Sequence, residues 1–270
     1  MSDHPGAGEP SLRGSGLNRL RRIATPRGWE VERGWPVDAA AELSADMHTE
    51  VAAQRLAAAQ GLAPPVLAFD PSARTLRMPW IDGRPLETGW TALPERRAAM
   101  AALLGRLRAV PAPGLPTLDL PGRMLVLHQR LAARDAPRAA LLSDEVAAAV
   151  ALLASVAAPG GGRGGPQAPR CLVHGDLTPG NILLRDDGTA VLLDWEYSHA
   201  GGPWDDLAAL CATCDATGDA SLEDWVAEVP AAARPRFDAT RRARRLLDVL
   251  WHALADWHLS RREGTLAPLS

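Results

Sequence analysis

Hydrophobic and polar positions divide the chain into a strand-rich N-terminal part and a helix-rich C-terminal part. In the first part, four short apolar segments bounded by turn-forming residues are predicted to be strands. They are Leu17–Ala24, Trp29–Arg33, Val66–Phe69 and Thr75–Ile81. Between the second and third strands, Met47, Val51 and Leu56 recur at near-helical spacing before Gly61, which predicts a helix over residues 44–61.

After residue 82 the pattern becomes mainly helical. The predicted helices are Pro94–Val110, Arg123–Arg134, Ser143–Ala158 with Ser143 as its N-cap, and three more that begin near Asp205, Leu222 and Pro235. We therefore expect an α+β fold with three parts. These are a disordered tail at residues 1–16, a small strand-rich lobe at 17–82 and a larger helical lobe at 83–270.

The stretch CLVHGDLTPGNILL, residues 171–184, interrupts the helical part with two apolar strands around a polar loop. The loop carries His174, Asp176 and Asn181. Its His-Gly-Asp-Leu-x-x-x-Asn pattern differs from the kinase catalytic loop, His-Arg-Asp-Leu-x-x-x-Asn, only by Gly in place of Arg. Phosphoryl transfer needs a carboxylate that accepts the proton of the attacking hydroxyl and oxygen ligands that hold Mg²⁺. The loop therefore predicts phosphoryl transfer.

A second acidic group is expected on the strand that follows this loop. Asp187-Gly188 is a strong turn signal, and Asp194 ends the apolar run Val191-Leu192-Leu193. Because a hairpin places its two strands side by side, Asn181 and Asp194 should lie close enough to share a metal ion.

Composition excludes several other chemistries. The chain has 270 residues and a net charge of −3, which gives no sign of a nucleic-acid partner. It contains no lysine, so all 29 basic residues are arginine. This excludes a phosphate loop that ends in Gly-Lys-Ser/Thr and any enzyme that forms a Schiff base through lysine.

Three further motifs have simpler explanations than function. The G-x-G-x-x-G spacing in PGGGRGGPQAP follows a helical run and leads into proline, which indicates a flexible connector. Cys211-x-x-Cys214 lies in an apolar helical run, where two small core residues are expected rather than a redox or metal site. The cluster RRARR at residues 241–245 is expected to be a solvated helix face.

The segments LVHGDLTPGNILL, LLDWEYS and GGPWDDLA together resemble the aminoglycoside phosphotransferase and choline kinase superfamily, which has a protein-kinase-like fold of two lobes. The resemblance is specific over Leu172–Ala208 and fainter upstream. It implies that Asp176 is the catalytic base, that Asn181 and Asp194 bind Mg²⁺, and that His174 supports the loop. Asp206 is implied as a structural acid that braces the loop.

The fainter upstream likeness concerns the nucleotide site. GSGLNR, with Gly14 and Gly16, resembles the nucleotide loop, and Glu50 sits where the helix of the small lobe carries its glutamate. MPWIDGRPL, with Pro79 and Ile81, resembles the hinge that binds the base of ATP. The family usually grips the α- and β-phosphates with a lysine. In its absence Arg33 is the best candidate, because a guanidinium can bind phosphate oxygens and pair with Glu50.

The tryptophans leave the acceptor site open. Nine of the twelve aromatic residues are tryptophan. Trp195, Trp251 and Trp257 fall where the superfamily binds its acceptor, and with Glu196 they could hold a cationic group. A tryptophan stripe at helical spacing is also what a helical core shows, and that alternative stays open.

We therefore expect an ATP- and Mg²⁺-dependent kinase that phosphorylates the hydroxyl of a small molecule, with an amino alcohol such as choline, ethanolamine or thiamine favoured. An aminoglycoside acceptor and a catalytically weak, pseudokinase-like binding module remain alternatives. The first thirty residues show no secretory signal, and no uninterrupted apolar span approaches membrane length. Three cysteines do not form a disulfide framework, so a cytoplasmic location is expected. Oligomeric state is not predicted.

Overall fold

A computed structural model describes residues 11–12, 18–37, 46–87, 89–157, 170–216, 218 and 221–264. The small lobe is an antiparallel sheet with the strand order β1-β2-β3-β5-β4. Its strands are β1 Ser11–Leu12, β2 Arg19–Thr25, β3 Gly28–Gly34, β4 Ala68–Asp70 and β5 Thr75–Pro79. The four predicted strands of this lobe are confirmed. Strand β1 extends the sheet into the segment predicted as a tail, and the rest of that tail lies outside the described residues.

Helix α1, Met47–Ala58, packs on this sheet and confirms the predicted helix. Asp46 caps its N-terminus, because the carboxylate accepts hydrogen bonds from the backbone N–H groups of residues 48 and 49. Val51 of the helix forms a small core with Leu76 of β5 and with Trp35, which directly follows β3. This core packs α1 against the sheet.

The larger lobe contains the remaining α-helices of the described residues, five long and one short. The long ones are α2 Pro94–Arg108, α3 Leu120–Ala132, α4 Ala136–Ala157, α5 Asp205–Ala216 and α7 Arg234–Gly264, and the short one is α6 Glu223–Ala227. The predicted N-cap at Ser143 is wrong, because α4 begins at Ala136 and the Ser143 hydroxyl donates to the carbonyl of Ala139 at 3.2 Å. Pro235 lies in the first turn of α7, as predicted.

Five further short strands lie outside the sheet of the small lobe. They are β6 Arg84–Pro85, β7 Cys171–Val173, β8 Ile182–Leu184, β9 Ala190–Leu192 and β10 His199–Gly201. Strands β6, β8 and β9 form one sheet, and β7 pairs with β10 in a second. The hairpin β8–β9 confirms the predicted turn at Asp187-Gly188. Strand β10 was not predicted, because its sequence HAG has no apolar run.

The large lobe has two hydrophobic cores. One connects α1, α2 and α5 with strands β7 to β9 and so supports the polar loop between β7 and β8. The other lies between α3, α4 and α7. The loop is therefore held by packed elements on both of its ends.

One described helix, α4, has the length and mean hydropathy of a membrane span over Ala136–Val156, with a value of 1.8. Arg138, Asp144 and Glu145 interrupt this sequence. The helix also packs into the core between α3 and α7. The described residues thus contain one candidate by composition and no clear span.

Candidate active site

The predicted base and its amide partner meet in the loop between β7 and β8. The amide nitrogen of Asn181 donates to a carboxylate oxygen of Asp176 at 2.7 Å and to its backbone carbonyl at 3.2 Å. A short 3₁₀ turn at residues 179–181 brings the two side chains together. The side chain of Asn181 thus orients the carboxylate of Asp176.

His174 and Asp206, which the sequence predicts to support the loop, hold it through hydrogen bonds to its backbone. One Asp206 oxygen accepts from the backbone N–H of His174 at 3.0 Å, and the other accepts from that of Gly175 at 2.9 Å. The ring of His174 joins the loop to the next strand, because its Nε2 lies 2.9 Å from the carbonyl oxygen of Leu193. Its Nδ1 accepts from the backbone N–H of Asp176 at 3.2 Å. These partners require the neutral tautomer with the proton on Nε2.

Gly175 allows the loop to pass close to the following segment. Its φ of +82° lies in the left-handed region, and a Cβ there would approach the carbonyl oxygen of Tyr197 to 2.5 Å. A side chain at this position is therefore excluded by both backbone angle and space, which explains why glycine stands inside the motif.

Asp194 lies next to the loop, at the end of strand β9. The backbone N–H of Leu193 donates to the carbonyl of Asn181 at 2.8 Å, which places Asp194 beside Asn181. Asp194 has a φ of +61°, a strained value for a residue with a side chain and one that often occurs at functional sites. The three predicted side chains, Asp176, Asn181 and Asp194, thus converge from neighbouring β-segments.

Arg33 on β3 brings the small lobe to this site. The buried guanidinium forms an ion pair with the equally buried Glu50 of α1. It also contacts Asp194 at 2.7 Å and Glu196 at 3.1 Å. Glu50 in turn accepts from the indole N–H of Trp35 at 2.7 Å. The Arg33–Glu50 pair that the sequence predicts is present, and it lies beside the predicted metal ligand.

The carboxylates around the loop change one another's proton affinity. Burial, together with the negative charges of Asp194, Glu196 and Asp248, raises the pKa of Asp176 to about 7, whereas the hydrogen bond from Asn181 lowers it. Burial and Asp194 also raise the pKa of Glu196. A base with a pKa near neutrality is suited to accept a proton at physiological pH.

The donor set fits a magnesium ion. Carboxylate and amide oxygens are the ligands that Mg²⁺ prefers, and it commonly uses one or two carboxylates together with phosphate oxygens. Because the amide nitrogen of Asn181 donates to Asp176, its amide oxygen is the atom that can coordinate a cation beside Asp194. A divalent cation would also relieve the repulsion that raises the pKa of Asp176.

The structure describes only some of the other residues that were predicted to bind the nucleotide. Pro79 ends β5, and Ile81 follows in the segment that leads to β6, so both lie in the connection between the lobes. Gly14 and Gly16 of the predicted nucleotide loop lie outside the described residues.

Of the residues predicted to bind the acceptor, Trp195 and Trp251 pack into hydrophobic cores. Trp195 is fully buried and packs edge-on against His174 at 4.6 Å between ring centroids, so it is a core residue and not a pocket wall. Trp251 packs against the core of α3, α4 and α7. Trp257 lies near the end of α3, under the guanidinium of Arg134 at 5.2 Å. The helical-core alternative therefore accounts for Trp251, and Trp195 is a core residue outside the helices.

Glu196 has other partners than an acceptor in this structure. Besides Arg33, the amide of Asn18 in the small lobe donates to it at 3.1 Å. It also accepts a hydrogen bond from Tyr197, whose own hydroxyl has a pKa raised by burial and by the charge of Glu196. Glu196 therefore connects the two lobes at the edge of the site.

The cysteine pair and the arginine cluster were both predicted to have no function, and the structure agrees fully with only the first prediction. Cys211 and Cys214 are buried core residues as predicted, and burial raises the pKa of Cys211 to about 12. The prediction for residues 241–245 is wrong at Arg244, which is only 8% exposed and lies against the catalytic loop. Arg244 precedes Leu247 and Trp251 by three and seven residues on one helical stripe, which indicates a buried face of α7 but does not show that Arg244 meets the loop.

Comparison with known proteins agrees with this geometry. A sequence model of the phosphotransferase enzyme family matches residues 36–247. The chain belongs to the phosphotransferase enzyme family. Among curated proteins, no sequence matches this phosphotransferase significantly.

Solved structures similar to this phosphotransferase share its two-lobed, kinase-like fold. A choline/ethanolamine kinase family protein from Mesorhizobium loti has a TM-score of 0.66 at 21% identity, covering 98% of this chain and 90% of its own. Choline kinase LicA from Streptococcus pneumoniae has a TM-score of 0.71 at 18% identity, covering 96% and 92%. A thermostable mutant of aminoglycoside phosphotransferase APH(4)-Ia has a TM-score of 0.64 at 19% identity, covering 94% and 89%.

Proposed function

We propose that this phosphotransferase moves the γ-phosphoryl group of ATP, in the presence of Mg²⁺, to the hydroxyl of a small amino alcohol such as choline, ethanolamine or thiamine. The observation that carries the proposal is the convergence of Asp176, Asn181 and Asp194 next to the guanidinium of Arg33. These are the groups that phosphoryl transfer requires, since it depends on positioning and on neutralising charge.

ATP as the donor is supported by the neighbours. LicA has been crystallised with AMP, and APH(4)-Ia with ADP and hygromycin B and with AMP-PNP and hygromycin B. In this chain Arg33 would bind phosphate oxygens through the guanidinium atoms that now contact Asp194 and Glu196. Glu50 would keep the guanidinium in place while its partners change.

The reaction follows from the roles of the chain's own residues. Asp176 orients the acceptor hydroxyl and takes its proton as the oxygen attacks the γ-phosphorus in line, while the bond from that phosphorus to the bridging oxygen breaks and ADP leaves. Asn181 and His174 hold Asp176 in that orientation, the first by its side chain and the second through the backbone. Asn181 and Asp194 would hold Mg²⁺, which supplies positive charge to the phosphate oxygens.

An acceptor with a positive charge is supported by the electrostatics. The negative charges of Asp194, Glu196 and Asp248 all act on Asp176, so the acceptor hydroxyl would enter a strongly acidic environment. A cationic amino group is attracted there, and the neighbours include choline and ethanolamine kinases. An aminoglycoside is cationic as well and is the second candidate, because the neighbours APH(4)-Ia were crystallised with hygromycin B.

The proposal is tested with a panel of acceptors. Purified protein is mixed with Mg-ATP and, separately, with choline, ethanolamine, thiamine, hygromycin B and glycerol, and each product is examined for the mass increase of one phosphoryl group. Phosphorylation of an amino alcohol, with glycerol unchanged, is the expected result. Phosphorylation of hygromycin B alone would assign the second candidate. If no acceptor is phosphorylated and no nucleotide raises the melting temperature, the protein is a binding module instead.

A cytoplasmic location is part of the same proposal. The three cysteines, Cys171, Cys211 and Cys214, are free and buried, which suits a reducing compartment.

A further inference from the structure

Arg244 on α7 is a buried cation whose position neither the sequence motifs nor the family roles explain. It is 8% exposed and lies behind the catalytic loop. One of its terminal nitrogens, Nη1, donates to the backbone carbonyl of Gly175 at 3.3 Å. Because Gly175 immediately precedes Asp176, this contact is made to the peptide group that carries the proposed base.

The peptide group between Gly175 and Asp176 is held at both ends. Its carbonyl accepts from Arg244, and its N–H donates to Nδ1 of His174 at 3.2 Å. A peptide group is planar, so two hydrogen bonds on opposite edges fix its rotation. The direction in which the Asp176 side chain leaves the backbone depends on that rotation.

The second terminal nitrogen of Arg244 connects the loop to strand β10. It lies 3.4 Å from Nε2 of His199, whose Nδ1 lies 2.9 Å from the carbonyl oxygen of Tyr197. A carbonyl accepts only, so the proton is on Nδ1 and Nε2 is the acceptor for Arg244. Burial and the charge of Arg244 lower the pKa of His199 to about 3, which keeps this tautomer neutral.

Burying the charged guanidinium of Arg244 costs free energy, so its contribution is not mainly to the stability of the fold. Both contacts of Arg244 are to neutral acceptors, and its Nε has no hydrogen-bond partner among the described residues. Burial lowers the pKa of the Arg244 guanidinium, while Asp205, Asp206 and Asp176 oppose that change. A buried charge with incomplete pairing contributes little net stability. Its effect is therefore on the geometry and charge around Asp176.

We propose that Arg244 is a positioning residue for catalysis, which fixes the Gly175–Asp176 peptide and supplies the positive charge behind the base. This inference rests on the proposed role of Asp176. It adds a contribution from α7, which is remote in sequence from the loop motif.

The test measures loop geometry and turnover separately in the full chain. The variants are Arg244→Met, which removes the charge and the donors, and Arg244→Lys, which keeps the charge but not the two-nitrogen fork. Arg245→Met is the matched control, because Arg245 is the exposed neighbour. Backbone hydrogen exchange over residues 172–181 is followed without substrate. We expect it to accelerate about 3- to 10-fold in both Arg244 variants, the factor for losing one hydrogen bond, and to be unchanged in the control.

Turnover is then measured with Mg-ATP and whichever acceptor of the panel is phosphorylated. In the Arg244 variants kcat should fall about 100-fold, as expected for a displaced base, while the Kd for Mg-ATP stays unchanged.

Distinct outcomes overturn the inference. If hydrogen exchange over residues 172–181 stays at the wild-type rate in a folded Arg244 variant, the inference is wrong. It is also wrong if exchange accelerates equally throughout α3, α4 and α7, because Arg244 would then be a general core residue. If Arg244→Met does not fold, Arg244→Lys gives the same two measurements of exchange and kcat. Faster loop exchange in a protein whose wild type phosphorylates no acceptor would count against the proposed function alone.

Discussion

The two sides of the active site are built from different interactions. On the phosphate side, charged groups pair across the lobes, with Arg33 contacting Glu50, Asp194 and Glu196. On the catalytic-loop side, the partner of Asp176 is a neutral amide, and backbone hydrogen bonds within one lobe hold the loop. Both sides contain buried carboxylates. They differ because the guanidinium of Arg33 contacts the carboxylates on the phosphate side and does not contact Asp176.

This difference assigns a different task to each carboxylate. Asp194 contacts the guanidinium of Arg33 at 2.7 Å, so a positive charge lies beside the proposed metal ligand. A carboxylate buried among other carboxylates holds a proton more readily, which suits a group that accepts a proton during the reaction. Asp176 is in that second environment, and its pKa is raised.

The largest effect is expected from removing the base while leaving the phosphate side intact. Asp176→Asn should lower kcat about 1,000-fold, because general-base catalysis contributes roughly 100- to 10,000-fold. The Kd for Mg-ATP, measured by calorimetry, should be unchanged. Asp187→Asn, in the exposed turn of the same hairpin, is the control and should keep full activity. Equal loss of binding and turnover in Asp176→Asn would contradict the separation of the two sides.

The next largest effect concerns the charge pair across the lobes. Arg33→Met leaves the buried carboxylate of Glu50 without its partner, so the free energy of unfolding should fall by about 3 kcal/mol. Urea denaturation measures this change. The double variant Arg33→Met with Glu50→Gln should recover part of the loss, since the buried charge of Glu50 is then removed together with its partner. Failure to recover any stability would show that packing, and not the charge pair, controls this region.

A smaller effect separates the metal ligand from the base. Asp194→Asn should weaken nucleotide binding at least about 10-fold when Mg²⁺ is present, the size of effect typical of altered metal coordination. With chelator in place of Mg²⁺ the variant and the wild type should bind ATP alike. Calorimetry under the two conditions gives the comparison. A loss of the same size without metal would mean that Asp194 contributes to the fold and not to the metal site.

A further expected effect is a pH dependence of stability. The pKa of Asp176 is raised to about 7 in the folded protein from 3.8, so the native state binds more protons between these values, and stability falls as pH rises through this range. Asp176→Asn removes this loss. It should therefore stabilise the protein by roughly 3 kcal/mol more at pH 8 than at pH 5, as measured by urea denaturation. A constant difference at the two pH values would show that the charge of Asp176 is not buried.

Local spacing predicted most of the catalytic side. Asp176 and Asn181 are separated by one short turn, and Asp187-Gly188 closes the hairpin that carries Asp194, so chain connectivity alone brings the three groups together. The strands and helices followed from the same kind of short-range pattern. Helix α4 was placed too late because Ser143 has the composition of an N-cap but lies inside the helix.

Tertiary packing decided what the sequence left open. Arg244 and the loop at Gly175 are 69 positions apart, and no local pattern shows which face of α7 meets that loop. Trp195 follows Asp194 directly, yet its indole is turned into the core, where its N–H donates to the carbonyl of Leu192 at 3.2 Å. Neighbours in sequence can thus face opposite environments, and only the packed structure separates them.

Gly175 gives the site an unusual kind of vulnerability. Its backbone angle and the short clearance to Tyr197 mean that a single added methyl group, as in alanine, must push the loop away from that carbonyl. Every acid, amide and guanidinium of the enzyme would still be present in such a protein. An inactive form with a complete set of chemical groups is therefore one carbon atom away from the active one.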